Sequence, residues 1–82
     1  MNITNELEIF VLNELAVDRD MKSIAPDEDL LMQGIIDSLG IMRLSAFMEE
    51  KFGIQIADRD MVPENFQSIN SLKGFIESKQ QS

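Results

Sequence analysis

Asp37-Ser38-Leu39 is the stretch of this chain whose residue types best suit chemistry. It stands just ahead of an apolar-periodic segment, 38–52, and so marks a helix start. An Asp before an apolar helix is a good N-cap, its carboxylate accepting a backbone N–H. With Asp37 as the cap, Ser38 is the first helical residue and its hydroxyl points outward. The positive end of a helix favours a phosphate, which makes Ser38 a candidate site for a phosphate-linked group. The competing reading makes Ser38 itself the cap and nothing more. Capping physics alone favours that second reading, although Ser38 lacks the Glu or Gln three residues later that completes a capping box.

Little else in the chain can do covalent chemistry. It contains no Cys and no His. Disulfide scaffolds, zinc-thiolate sites and the Ser/His and Cys/His nucleophile pairs are therefore excluded, and the commonest general base is missing. We expect no catalytic residues, no metal site and no enzyme. Asp18, Asp20 and Asp29 have a partial EF-hand spacing, but Lys22, Ser23 and Pro26 occupy positions where a calcium loop needs a ligand, a Gly and a further ligand. Weak divalent-ion binding by the acidic run is the most that spacing suggests.

The elements that must position Ser38 belong to a short chain of 82 residues with a net charge of −8. That length suits one domain, 1–82, with a modest core. Residues 1–20 carry −4 and residues 27–50 carry −5, whereas residues 51–82 are neutral. Such a field repels nucleic acid and anionic lipid and steers basic partners toward the first two thirds of the chain. No apolar run approaches a membrane span, and the polar, acidic first residues do not resemble a signal peptide. The expectation is a soluble cytoplasmic monomer that binds neither nucleic acid nor membrane.

Hydrophobic periodicity predicts a helix over 3–17, with Ile3, Leu7, Phe10, Val11 and Leu15 on one face and Asn2 or Thr4 as its cap. A long connection, 18–36, follows and is pinned by Leu30, Leu31, Ile35 and Ile36. The second helix, 38–52, stops at Gly53. Residues 54–67 read as irregular, with Pro63 opposing a long helix and a short turn around Asp58–Val62. A last helix spans 69–79, capped by Ser68, with Ile69, Leu72, Phe75 and Ile76 on its apolar face. No stretch alternates with the period of a strand. The fold class is all-α: a small four-helix bundle of three long helices and one short, with a long loop between helices 1 and 2.

The second helix carries more apolar surface than one core requires. On a helical wheel Ile41, Leu44, Ser45, Met48 and Phe52 share the buried side. Leu39, Met42 and Ala46 cluster nearly opposite, beside Arg43, Glu49 and Glu50. A short apolar strip rimmed by carboxylates, with Asp37 at its start, suits a docking surface for a partner protein. Alternatively, Leu39 and Met42 lie under the long loop, or are simply scattered exposed residues.

Gly34-Ile35-Ile36-Asp37-Ser38-Leu39-Gly40-Ile41-Met42 resembles the acyl carrier proteins, which have Asp-Ser-Leu at the start of their second helix. Met48-Glu49-Glu50-Lys51-Phe52-Gly53-Ile54-Gln55-Ile56 and Phe66-Gln67-Ser68-Ile69 extend the likeness over nearly the whole chain. The resemblance implies that Ser38 carries 4′-phosphopantetheine, transferred from coenzyme A by a phosphopantetheinyl transferase. The arm's thiol then holds acyl or aminoacyl intermediates as thioesters. It further implies partners with basic patches: an acyl- or aminoacyl-loading ligase and downstream enzymes of fatty-acid, polyketide or related biosynthesis. Asp37, Leu39, Met42, Ala46, Glu49 and Glu50 are the matching partner-binding candidates. Family cores often shelter the cargo; Leu30, Ile36, Leu44, Met48, Phe52 and Ile76 are the candidates here, with a plain core as the stronger reading.

Three features depart from the fatty-acid type. Gly40 and Arg43 stand where those carriers usually keep acids, and the connection containing Pro63-Glu64-Asn65 is about two residues longer, departures that suit a dedicated carrier. Peptide-synthetase carriers usually have Gly-Gly-His-Ser before the helix, whereas this chain has Ile36-Asp37-Ser38. The alternative outside this family is an acidic helical adaptor that docks through the second helix without a prosthetic group.

Overall fold

Asn2 opens the first helix by accepting the Asn5 N–H on its side-chain oxygen at 3.1 Å. The computed structural model describes residues 2–16 and 21–81. Helix α1 spans Ile3–Phe10 and runs on into a π-helical turn, Val11–Leu15. That turn is closed by a 2.8 Å bond from the Ala16 N–H to the Val11 carbonyl, five residues back. The expectation of one regular helix over 3–17 is corrected accordingly. Val11 and Ala16 are both buried, a spacing that a regular 3.6-residue turn does not put on one face. Val17 lies outside the described residues, as do Asp18 and Asp20 of the partial EF-hand spacing.

The connection after α1 is stapled at several points rather than hanging free. The Glu8 carboxylate accepts the Ile24 N–H at 2.7 Å. Asp29 Oδ1 accepts the N–H groups of Leu31 and Met32, while its Oδ2 accepts from the Gln67 side chain. The Leu30 N–H reaches the Gln67 carbonyl at 2.7 Å, and the Asn70 N–H reaches that of Pro26 at 3.0 Å. Gly34 turns the chain back at φ 70°, a conformation open to glycine at little cost. Leu30, Ile35 and Ile36 then enter the core, while Leu31 is only half-buried.

Helix α2 spans Ser38–Phe52 and ends at Gly53, whose φ of 66° is the left-handed cap a glycine favours. Leu44, Met48 and Ser45 face inward; the Ser45 hydroxyl is satisfied by the Ile41 carbonyl at 2.9 Å. Ile41 and Phe52 are half-buried. Within residues 54–67 the expected short turn is a 3₁₀ turn over Asp58–Asp60, and a one-turn helix, α3, covers Pro63–Phe66. Pro63 begins that helix, at the position where a missing N–H costs nothing. Phe66 is fully buried. Helix α4 spans Ile69–Gln80, with Ser68 accepting the Ser71 N–H at 3.1 Å.

The four helices enclose one core, in which Leu7, Val11, Leu30, Leu44, Met48, Phe66, Ile69, Leu72 and Ile76 are fully buried. Fully burying one such side chain contributes roughly 1.5–3 kcal/mol. Among the described residues there is no strand. No helix there is long and apolar enough to cross a membrane.

Candidate functional site

Asp37, not Ser38, caps helix α2. Its backbone is extended, and its Oδ1 accepts the Gly40 N–H at 2.8 Å. Ser38 is the first helical residue and is exposed. No hydrogen bond among the described residues engages its hydroxyl. The reading in which Ser38 serves as the cap is therefore overturned. Asp37 reaches Gly40 with the geometry of an N-cap, and one helix start needs only one such acceptor.

Gly40 also finds its reason here. A Cβ at this position would lie 3.2 Å from the Ile36 Cβ and 3.5 Å from Asp37 Oδ1. A side chain here would press on the buried Ile36 by a few tenths of an ångström, while its Cβ would sit in ordinary contact with the capping carboxylate. The helix-propensity cost of the glycine, up to about 1 kcal/mol, is the counterpart of this close approach.

The wheel's second face is exposed as read. Leu39 and Met42 show 65% and 62% of their surface, and Ala46, Asp37, Glu49 and Glu50 are exposed too. Neither Leu39 nor Met42 is covered by the described part of the long loop, residues 21–36. Glu49 differs from Glu50 in that its carboxylate accepts the Ile56 N–H at 2.9 Å, binding α2 to the segment after Gly53. Arg43 is held across to the end of the first helix. Its Nη1 donates to the Glu14 carbonyl at 3.0 Å, and its Nη2 to the Glu14 carboxylate at 3.4 Å. Met32, 83% exposed just upstream of α2, escaped the sequence reading because an isolated loop methionine has no periodicity to betray its exposure.

The suggested cargo-shelter residues all belong to the core or pack against it. Leu30, Leu44, Met48 and Ile76 are fully buried, Ile36 nearly so, and Phe52 packs half-buried against them. The acidic run is likewise occupied: Asp27 and Asp29 accept from the Asn70 and Gln67 side chains. Among the described residues no cluster of His, Cys, Asp or Glu could hold a metal ion.

The α2 tip thus presents an unengaged serine hydroxyl at the positive end of a helix in a small helical bundle. The family described as "Phosphopantetheine attachment site" matches residues 11–76. An acyl carrier protein from Solidesulfovibrio magneticus is 29% identical over 79 residues, covering 96% of each chain. This chain belongs to the phosphopantetheine-attachment family, among the acyl carrier proteins. It is a carrier that bears a covalent 4′-phosphopantetheine. The α2 tip fits that group: an exposed hydroxyl stands at the end of a 15-residue helix, where a phosphodiester is favoured by the helix dipole. Proteins of this kind are served by a phosphopantetheinyl transferase and by biosynthetic enzymes.

Proposed function

We propose that the 82 residues form a single carrier domain and that Ser38 is its attachment residue. The domain presents acyl or aminoacyl groups to cytoplasmic enzymes of a dedicated fatty-acid, polyketide or related pathway. The observation that carries this reading is the division of labour at the α2 tip. Asp37 satisfies the helix start, which leaves the Ser38 oxygen unengaged.

In the modification step the Ser38 oxygen attacks the coenzyme A phosphorus that bears the pantetheine. A phosphodiester forms, the pyrophosphate bond breaks, and the 3′,5′-bisphosphonucleotide leaves. The serine proton passes to a base on the transferase, so this chain's lack of His is no obstacle. The group supplies a thiol, on which cargo rides as a thioester. Chain residues provide position and recognition: Leu39, Met42 and Ala46 form an apolar strip, with Asp37, Glu49 and Glu50 at its rim. Arg43 and Gly40, in place of acids, support a partner set distinct from general fatty-acid synthesis.

The test is an intact mass after incubation with coenzyme A, Mg²⁺ and a broad-specificity phosphopantetheinyl transferase. The expected result is a gain of one arm, abolished in Ser38→Ala. An unmodified wild-type chain would favour the adaptor reading, and a modified Ser38→Ala chain would move the attachment elsewhere.

A further inference from the structure

Beside Ser38 a groove of about 400 Å³ opens between the end of the first helix and the start of α2. Asp37 and Leu39, the two neighbours of Ser38 in sequence, both line it. Leu15, Ile35 and Ile36 are apolar members of the lining, and Arg43 belongs to it as well. The volume lies at the small end of the usual ligand-pocket range of roughly 300–1,000 Å³.

We infer that this groove is the resting place of the protein's own pantetheine arm, with Arg43 as the residue that holds it. The inference rests on Ser38 being the attachment residue and adds where the arm lies. Three observations support it. Both sequence neighbours of Ser38 line the groove, so an arm fixed to Ser38 starts one residue from its wall. Its lining mixes apolar residues (Leu15, Ile35, Ile36, Leu39) with the polar groups of Asp37 and Arg43, a mixture that suits an arm made of methylenes, methyls and amides. The core residues Leu30, Leu44, Met48, Phe66, Leu72 and Ile76 are fully buried and line none of the four surface cavities described, whereas the residues flanking Ser38 do.

Arg43 is suited to the holding role by the way it is itself held. Glu14 engages Nη1 and Nη2, which fixes the guanidinium at the groove wall, while the group carries more N–H donors than Glu14 uses. A lysine at this position keeps the charge but loses the planar fork. A methionine keeps the length and loses every donor.

The test compares the unmodified and phosphopantetheinylated chains by backbone amide NMR and by the alkylation rate of the arm's thiol. Loading is verified by mass. Docking predicts amide shifts at Leu15, Ala16, Ile35 and Arg43, remote in sequence or space from the new bond. It also predicts that Arg43→Met raises the alkylation rate about two- to tenfold, the span of one hydrogen bond's net contribution, with Arg43→Lys in between. A loaded chain whose shifts stay within residues 36–40, or fall on the Ile54–Ala57 side, would overturn the groove assignment while leaving Ser38 as the attachment residue. An equal alkylation rate in Arg43→Met would do the same. A chain that takes up no mass would overturn both.

Discussion

A serine next to a helix-capping aspartate can be a cap or an acceptor for modification, and at any moment its oxygen serves one role. The 2.8 Å bond from the Gly40 N–H to Asp37 Oδ1 makes Asp37 the cap in this chain and leaves the Ser38 oxygen out of that role. Removing that carboxylate should bring the other role back. In Asp37→Ala the helix start loses its acceptor, at a cost of about 1 kcal/mol. Ser38 is the nearest replacement, and as it turns to cap, its oxygen becomes less available. Asp37→Ala should therefore show both a lower urea midpoint and slower modification of Ser38. Asp37→Asn, which keeps a capping oxygen, should retain most of the stability. Equal modification rates in wild type and Asp37→Ala would separate capping from availability. This is also the residue whose role the sequence left open. Asp and Ser are near-equal caps, so no propensity argument could decide between adjacent candidates, and only the distance to Gly40 does.

At the scale of elements, the regular helices were legible, and the segments between them only in part: the turn at Asp58–Asp60 and the anchoring of the long connection by Leu30, Ile35 and Ile36 could be read, their polar contacts could not. The limits of α2 and the start of α4 follow from caps and apolar spacing that act within a few residues. The π-turn at Val11–Leu15, the Asp58–Asp60 turn and the staples of the long connection have partners far along the chain: Arg43 for Glu14, Lys79 for Asp60 and Gln67 for Asp29. These staples are polar and titratable, so they should be visible in acid. The Asp60 carboxyl lies below its ordinary value of 3.8, held there first by the hydrogen bond from Lys79 and then by the Ala57 N–H. Asp29 is lowered from the same value by the Met32 N–H, with the Gln67 amide and the Leu31 N–H adding to it. A carboxyl whose folded value is depressed adds stability above its unfolded value, and that stability is lost as pH falls through the folded one. Stability should thus decline below about pH 4. Asp60→Asn should be less stable than wild type at pH 7, with the gap closing as pH drops below the folded value. Denaturant titrations at pH 7 and in acid measure this; a gap that stays constant would mean that the Lys79 contact does not contribute through charge.

For the whole molecule, the question is how a surface with a net charge of −8 is read by another protein. Long-range attraction and close contact act at different stages of binding. Rim charges act on approach and are screened over about 10 Å at 0.1 M salt, whereas a desolvated apolar strip acts on the complex once formed. The α2 face separates the two, because Leu39 and Met42 are exposed apolar residues and Glu50 is an exposed charge beside them. Against a transferase with a basic docking surface, Glu50→Lys should slow association by a few-fold at low salt. That difference should shrink as salt is raised. Leu39→Ala should leave association nearly unchanged and speed dissociation, with little response to salt. Glu49→Lys should not behave as Glu50→Lys does. Its carboxylate accepts the Ile56 N–H, so reversal also loosens the segment after α2, and a stability loss should accompany the slower association. Surface-binding kinetics at two ionic strengths, paired with denaturation of each variant, distinguish these outcomes. If Leu39→Ala and Glu50→Lys changed the same rate constant with the same salt response, the α2 strip and its rim would not be acting as separate parts of one docking surface.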